Sequence, residues 1–127
     1  MTEKDNNKML QEMYDFIDSS YDDMVAMLVK LAEIESPSSC KEGVDRVCDE
    51  IRVFCEHNGI SAKVYKYPNA GNSFTAIINQ DSGLKEIALM GHMDTVHPVG
   101  AFGSPAVRIE GEYIYGPGVY DCKGGLV

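Results

Sequence analysis

The hydrophobic period of this chain changes once, at Gly59, and the change limits the fold to helices first and strands after. Ahead of it, Leu10, Met13, Ile17, Tyr21, Met24, Leu28 and Leu31 recur at steps of three and four, the spacing of an amphipathic helix. One long helix is expected from Asn7 to Glu35, bent or broken near Ser19-Ser20. Met9, Met13, Met24 and Met27 read as core or core margin. Asp15, Asp18, Asp22 and Asp23 read as the solvated opposite face. Pro37 ends the helix, because a residue before proline is pushed out of helical angles. Ser39 with Glu42 three residues on has the pattern of a capping box. A second helix is expected from about Lys41 to Asn58, with Val44, Val47, Cys48, Ile51, Phe54 and Cys55 inward, closed by Gly59 in the left-handed conformation.

Beyond Gly59 the period is two. Ala62 to Tyr67, closed by Pro68, and Phe74 to Asn79 read as strands joined by the turn Asn69-Ala70-Gly71-Asn72. Glu86 to Gly91 lacks polar alternation and reads as a strand covered on both faces. Val107 to Tyr115 around Glu110-Gly111 reads as a hairpin, set between glycine-rich loops at Thr95 to Pro105 and Gly116 to Gly125. The pattern predicts an α/β fold with a helix-flanked sheet. With 127 residues, residues 1–127 form one domain with no room for a second core.

The formal charge is −9. Residues 1–60 hold 14 acids against 6 bases, and residues 61–127 hold 6 against 5. An acidic N-terminal half argues against nucleic acid and anionic membrane surfaces as partners. No secretory signal pattern opens the chain, and no apolar run approaches the ~20 residues that cross a bilayer. Cys40, Cys48, Cys55 and Cys122 form no C-x-x-C pair, and Cys48 and Cys55 share a helix face. Reduced, mostly buried thiols in a cytoplasmic protein are expected.

Chemistry concentrates late in the chain. His92 and Asp94 stand at the carboxyl end of the Glu86–Gly91 run, where open α/β sheets place their sites. In extended backbone, residues two apart project to one side. A metal-ligating imidazole needs its second ring N–H held by an acceptor, a task open to Asp94. Asp121 lies in a glycine-dense loop beside Lys123, and a carboxylate can bridge two metal ions. Taken singly, each of these residues is equally at home as a capped loop histidine or a turn aspartate. A phosphate-binding reading fails, since G-x-x-x-x-G-K-[ST] is not matched and Asp121 would repel the anion. His57, in the last turn of the second helix, reads as a helix-terminus residue. His97 reads as a loop residue, with the substrate entrance as its alternative.

Taken together, Leu89-Met90-Gly91-His92-Met93-Asp94-Thr95-Val96 and Tyr115-Gly116-Pro117-Gly118-Val119-Tyr120-Asp121-Cys122-Lys123-Gly124-Gly125 resemble the M20 family of zinc metallopeptidases. That group includes glutamate carboxypeptidases, acetylornithine deacetylases, succinyl-diaminopimelate desuccinylases and related dipeptidases. The match is to G-H-x-D-T-V followed by G-x-G-x-x-D-x-K-G-G, and it extends weakly back through Ile34-Glu35-Ser36-Pro37-Ser38 and Gly71-Asn72. The resemblance implies the N-terminal part of a helix-flanked mixed sheet, a zinc-peptidase-like catalytic domain in which His92 ligates one zinc, Asp94 acts beside it as the catalytic aspartate that orients it, and Asp121 bridges two zincs. It also implies a cis peptide at Asp121-Cys122 and hydrolysis of an amide by water activated between the metals.

The family's Glu-Glu pair, remaining acidic ligand, last histidine and dimerisation domain all lie downstream of K-G-G. The 127 residues are therefore expected to be the truncated, N-terminal portion of a longer, homodimeric hydrolase acting on a peptide or N-acyl amino acid. Zinc takes three or four protein ligands, so the chain alone is expected to be inactive. Two zinc ions per parent site are implied, with cobalt or manganese as alternatives. Glutamate carboxypeptidase-like activity is the preferred branch, against a deacylase or dipeptidase of the same family. A non-catalytic, self-associating module is the alternative from another class, through uncovered sheet edges and apolar patches.

Overall fold

The computed structural model describes residues 2–127. Three helices come first, α1 (Glu3–Ser19), α2 (Tyr21–Glu33) and α3 (Lys41–His57). Two antiparallel hairpins follow, β1 (Ala62–Tyr65) with β2 (Ser73–Ala76) and β3 (Arg108–Glu110) with β4 (Tyr113–Tyr115), and a short 3-10 turn at Lys123–Leu126. The α/β class therefore stands, with its sheet portion made of two hairpins and one parallel bridge between Pro37 and Thr95. Among the described residues, no helix is long and apolar enough to cross a membrane.

The helix expected from Asn7 to Glu35, bent or broken near Ser19-Ser20, is broken there into two. Ser20 adopts φ −95° and ψ 0° between them. The hydroxyls of both Ser19 and Ser20 donate to the Phe16 carbonyl at 2.8 Å, and such side-chain bonds compete with the helical ladder. α1 also starts earlier than its apolar spacing indicates, because Thr2 and Asp5 form a reciprocal capping box. None of its residues is buried. Met9 and Met13 are exposed, so half of the methionine stripe is not core, whereas Met27 of α2 packs against the core.

α3 carries the centre of the fold. Val44, Val47, Cys48, Ile51 and Cys55 are buried with Leu31 and Ile34 of the α2 end and Met93. Ile60, Ala62, Val64 and Phe74 close the cluster from the first hairpin. Each such aliphatic side chain contributes about 1.5–3 kcal/mol by leaving water. Phe54, expected inward, is half exposed. The expected Ser39–Glu42 capping box is absent: the N-cap is Cys40, without a side-chain cap bond, which leaves Ser39 one residue outside the capping position. Gly59 closes the helix at φ +70° as expected, while Ile60 N–H donates to the Cys55 carbonyl at 2.8 Å. All four cysteines are free thiols, with Cys48 and Cys55 buried.

β1 and β2 pair with Val64 opposite Phe74, and both are shorter than the alternating pattern suggests. Their turn is pinned to α3, where Asp45 accepts from Asn72 N–H at 2.7 Å and from Lys41 Nζ at 2.8 Å. The hairpin expected at Val107 to Tyr115 forms, with Ile109 opposite Ile114. The strand expected at Glu86 to Gly91 does not: the run has no ladder partner among the described residues, and Ile87, Leu89 and Met90 are almost fully exposed. A segment apolar on both faces becomes a strand only where neighbours take its N–H and C=O groups.

α3 packs at Gly43 against the segment that leaves α2, where an added Cβ would sit 2.2 Å from the Glu35 backbone oxygen. That oxygen belongs to main chain and cannot swing away. Gly43→Ala is expected to destabilise the chain by roughly 1–3 kcal/mol, and Gly125→Ala, where nothing lies within 4 Å, to stay near neutral. Urea denaturation of the two variants measures the contrast.

Candidate metal centre

The cleft is built by two loops and the segment that leaves α2. Residues 36–38 run alongside 93–95: Thr95 N–H donates to the Ser36 carbonyl at 2.8 Å, and Ser38 N–H to the Thr95 carbonyl at 3.1 Å. The buried Ser36 hydroxyl donates to the Met93 carbonyl at 2.8 Å. The second loop closes on itself at Gly118, whose φ is +75° and whose missing Cβ would meet Thr95 Cγ2 at 2.7 Å. The Gly118 carbonyl accepts from Lys123 N–H at 2.7 Å. Lys123 is fully buried, and its ammonium donates to the Ile34 carbonyl at 2.6 Å. Burial pushes that ammonium down to about 8, with Glu35 opposing the change.

These tethers bring His92, Asp94 and Asp121 to one open cleft of about 250 Å³. His92 Nδ1 lies 2.9 Å from the Asp94 backbone carbonyl and 3.3 Å from its carboxylate Oδ1. A carbonyl only accepts, so Nδ1 carries a proton, and Nε2 is the nitrogen turned toward the Asp121 loop. Nε2 in turn lies 2.9 Å from Asp121 Oδ1. The bond from Asp121, then the one to the Asp94 backbone, holds the imidazole above its ordinary range. The nearer acceptor for Nδ1 is thus main chain rather than the Asp94 carboxylate, a division of labour that the H-x-D spacing does not disclose.

Two participants carried no sequence signal of their own. The Cys122 thiol accepts from His92 N–H and donates to the His92 carbonyl, both at 3.2 Å, clamping the histidine backbone to the loop that carries Asp121. The Asp121-Cys122 peptide is cis, as the family resemblance implies. Ser38 Oγ donates to Asp94 Oδ2 at 2.5 Å. His97 lines the cleft and packs edge-on against Phe102 at 5.0 Å. His57 stands in the last turn of α3, away from these residues.

The donors suit a divalent cation. An imidazole nitrogen and a carboxylate oxygen sit side by side and exposed, and one group of three metal-capable residues among the described ones comprises His92, Asp121 and Cys122, with ligand atoms within 4.8 Å of one another. Because the thiol is engaged on both sides by the His92 main chain, the donors left to a cation are His92 Nε2 and the Asp121 carboxylate, which face each other at 2.9 Å. Those two fall short of the three or four protein ligands that one zinc takes.

No family model matches the chain. Over 104 residues, 80% of this chain and 25% of the relative, it is 31% identical to Carboxypeptidase G2 of Pseudomonas sp. (strain RS-16). The chain thus spans about a quarter of the length of the curated relative it matches. That likeness relates it to a carboxypeptidase and, at the coarsest level, to hydrolases.

The raised His92 value has a definite pH consequence. The folded chain favours the imidazolium, so the His92–Asp121 pair stabilises the fold below the ordinary histidine range, and the contribution disappears as pH rises through the raised midpoint. In the metal-free chain, NMR titration should place the His92 midpoint above 6.5. Asp121→Asn, which keeps the shape and removes the charge, should lower it, and an unchanged midpoint would show that Asp121 does not act on the imidazole.

Proposed function

We propose that this chain supplies the His92 and Asp121 ligands of a two-zinc centre in an amidohydrolase that cleaves a peptide or N-acyl amide bond, with a glutamate carboxypeptidase-like reaction preferred. The observation that carries the reading is the contact of His92 Nε2 with Asp121 Oδ1 at 2.9 Å on the wall of a shared cleft. The likeness to a carboxypeptidase over most of the chain supports the same class. A deacylase or dipeptidase of the resembled family fits the same ligands, and the substrate class rests on the likeness alone.

When bound, zinc polarises the amide carbonyl and lowers the pKa of water. The chain's own contribution is placement. The Asp94 carbonyl and carboxylate keep the proton on Nδ1, which leaves Nε2 as the electron-pair donor. The Cys122 clamp holds the His92 backbone against the Asp121 loop. The carboxylate of Asp121, on the cleft wall, would offer a cation oxygen donors and a charge that offsets part of its own. The further ligands that complete the set come from outside residues 1–127.

Calorimetric titration with zinc tests the assignment on the chain as it stands. Weak binding is expected, lost in His92→Ala and in Asp121→Ala and weakened about 10–100-fold in Asp94→Asn. Hydrolysis of N-acyl amino acids or glutamyl dipeptides should be absent. Zinc affinity indifferent to both alanine variants would sink the ligand assignment, and turnover by the 127 residues alone would overturn the shared-site reading.

A further inference from the structure

We propose that Ser38 is a positioning residue for the His92–Asp94 pair, acting through its hydroxyl on the Asp94 carboxylate; the role rests on the reading of His92 as a metal ligand. The Ser38 hydroxyl donates to Asp94 Oδ2 at 2.5 Å, while the other oxygen, Oδ1, faces His92 Nδ1 at 3.3 Å. A carboxylate on a partly exposed loop turns freely unless one oxygen is held. With Oδ2 taken by Ser38, Oδ1 is presented to the imidazole.

The backbone that carries the donor is tethered. Ser38 N–H and the Ser36 carbonyl bracket Thr95 at 3.1 and 2.8 Å, so the 36–38 segment forms a parallel bridge with the residues flanking Asp94. Ser36 anchors it once more through the Met93 carbonyl at 2.8 Å, in a fully buried setting. Pro37 between them has a fixed φ and no N–H to offer elsewhere. The hydroxyl is also not spent on α3. That helix opens at Cys40 with no side-chain cap bond. The serine that follows Pro37 thus serves the carboxylate 56 residues further along the chain.

The test compares Ser38→Ala, Ser38→Thr, Asp94→Asn and the Ser38→Ala/Asp94→Asn double variant in the full 127-residue chain. Two readouts are taken: the ¹⁵N and ¹H signals of the His92 ring in the metal-free chain, and the affinity for Co²⁺ followed by its visible spectrum. Ser38→Ala is expected to move the ring signals toward a mixture of tautomers and to weaken Co²⁺ binding by about 10-fold, the lower end of what removal of an outer partner costs. Ser38→Thr, which keeps the hydroxyl, should restore both. Once Asp94 is Asn, removing the hydroxyl should change neither further, a non-additivity that general loss of stability does not produce. Should Ser38→Ala fail to fold, Ser38→Cys, of similar shape and with a weak donor, takes its place in the same comparison. Unchanged ring signals and affinity in Ser38→Ala, or additive losses in the double variant, overturn the positioning role. If the ring signals follow Ser38 while the parent chain takes up no Co²⁺, the ligand reading falls and the coupling of Ser38 to His92 stands.

Discussion

Every loop that builds the cleft is tied to one short stretch, residues 33–38, where α2 ends. The Glu33 carboxylate accepts from the N–H groups of Ala106 and Val107 at 3.3 and 3.0 Å. The Ile34 carbonyl, which a helix end leaves without an internal partner, takes the buried Lys123 ammonium. Glu35 Oε1 accepts from Gly100 N–H at 2.6 Å, and Ser36 with Ser38 holds the 93–95 segment. Backbone groups outside regular ladders must find partners wherever they are buried. Here one turn of chain supplies them for three separate loops. The lysine is the costliest member: burial drives its ammonium down to about 8, and removing either it or its carbonyl partner would leave the other unsatisfied in a dry setting.

That arrangement explains what was and was not legible beforehand. Leu31, Val47, Cys48 and Ile51 announce their burial through helical spacing alone, because a helix sets which residues share a face whatever lies around it. The hairpin at Arg108–Tyr115 is similarly local, with Glu110-Gly111 sufficient to turn it. The break at Ser20 was half visible in the Ser19-Ser20 pair, but the shared Phe16 acceptor is a matter of rotamers that spacing does not carry. The run Glu86–Gly91 marks the limit of such reasoning. Whether Ile87, Leu89 and Met90 form a strand depends on neighbours, and pattern alone cannot supply a ladder partner.

The site divides in the same way. His92, Asp94 and Asp121 stand out as residue types in a spacing, and the chain brings all three to one cleft. Ser38 and Cys122 do not stand out, since their contacts span 56 and 30 residues and involve main-chain atoms or a second side chain's far oxygen. Lys123 stands beside Asp121 in the sequence, and spacing assigns it no task. Its task is visible only when the Ile34 carbonyl is placed against it. Long-range partners of irregular segments are what a one-dimensional reading loses first.

The charges of the cleft argue for a cation rather than an anion as its occupant. His92 faces carboxylates on both of its nitrogens, Asp94 at Nδ1 and Asp121 at Nε2. Lys123, the nearest lysine in sequence, has its ammonium turned inward to a backbone carbonyl and contributes no exposed positive charge there. A second proton on the imidazole and a metal ion compete for the same lone pair on Nε2, beside the same carboxylate. The preference that raises the imidazole above its ordinary range is therefore a measure of how strongly this corner of the chain attracts positive charge. Asp121 supplies that attraction at close range, while the acidic residues of α1, on a helix with no buried side chain, lie on a solvated surface where ions screen them.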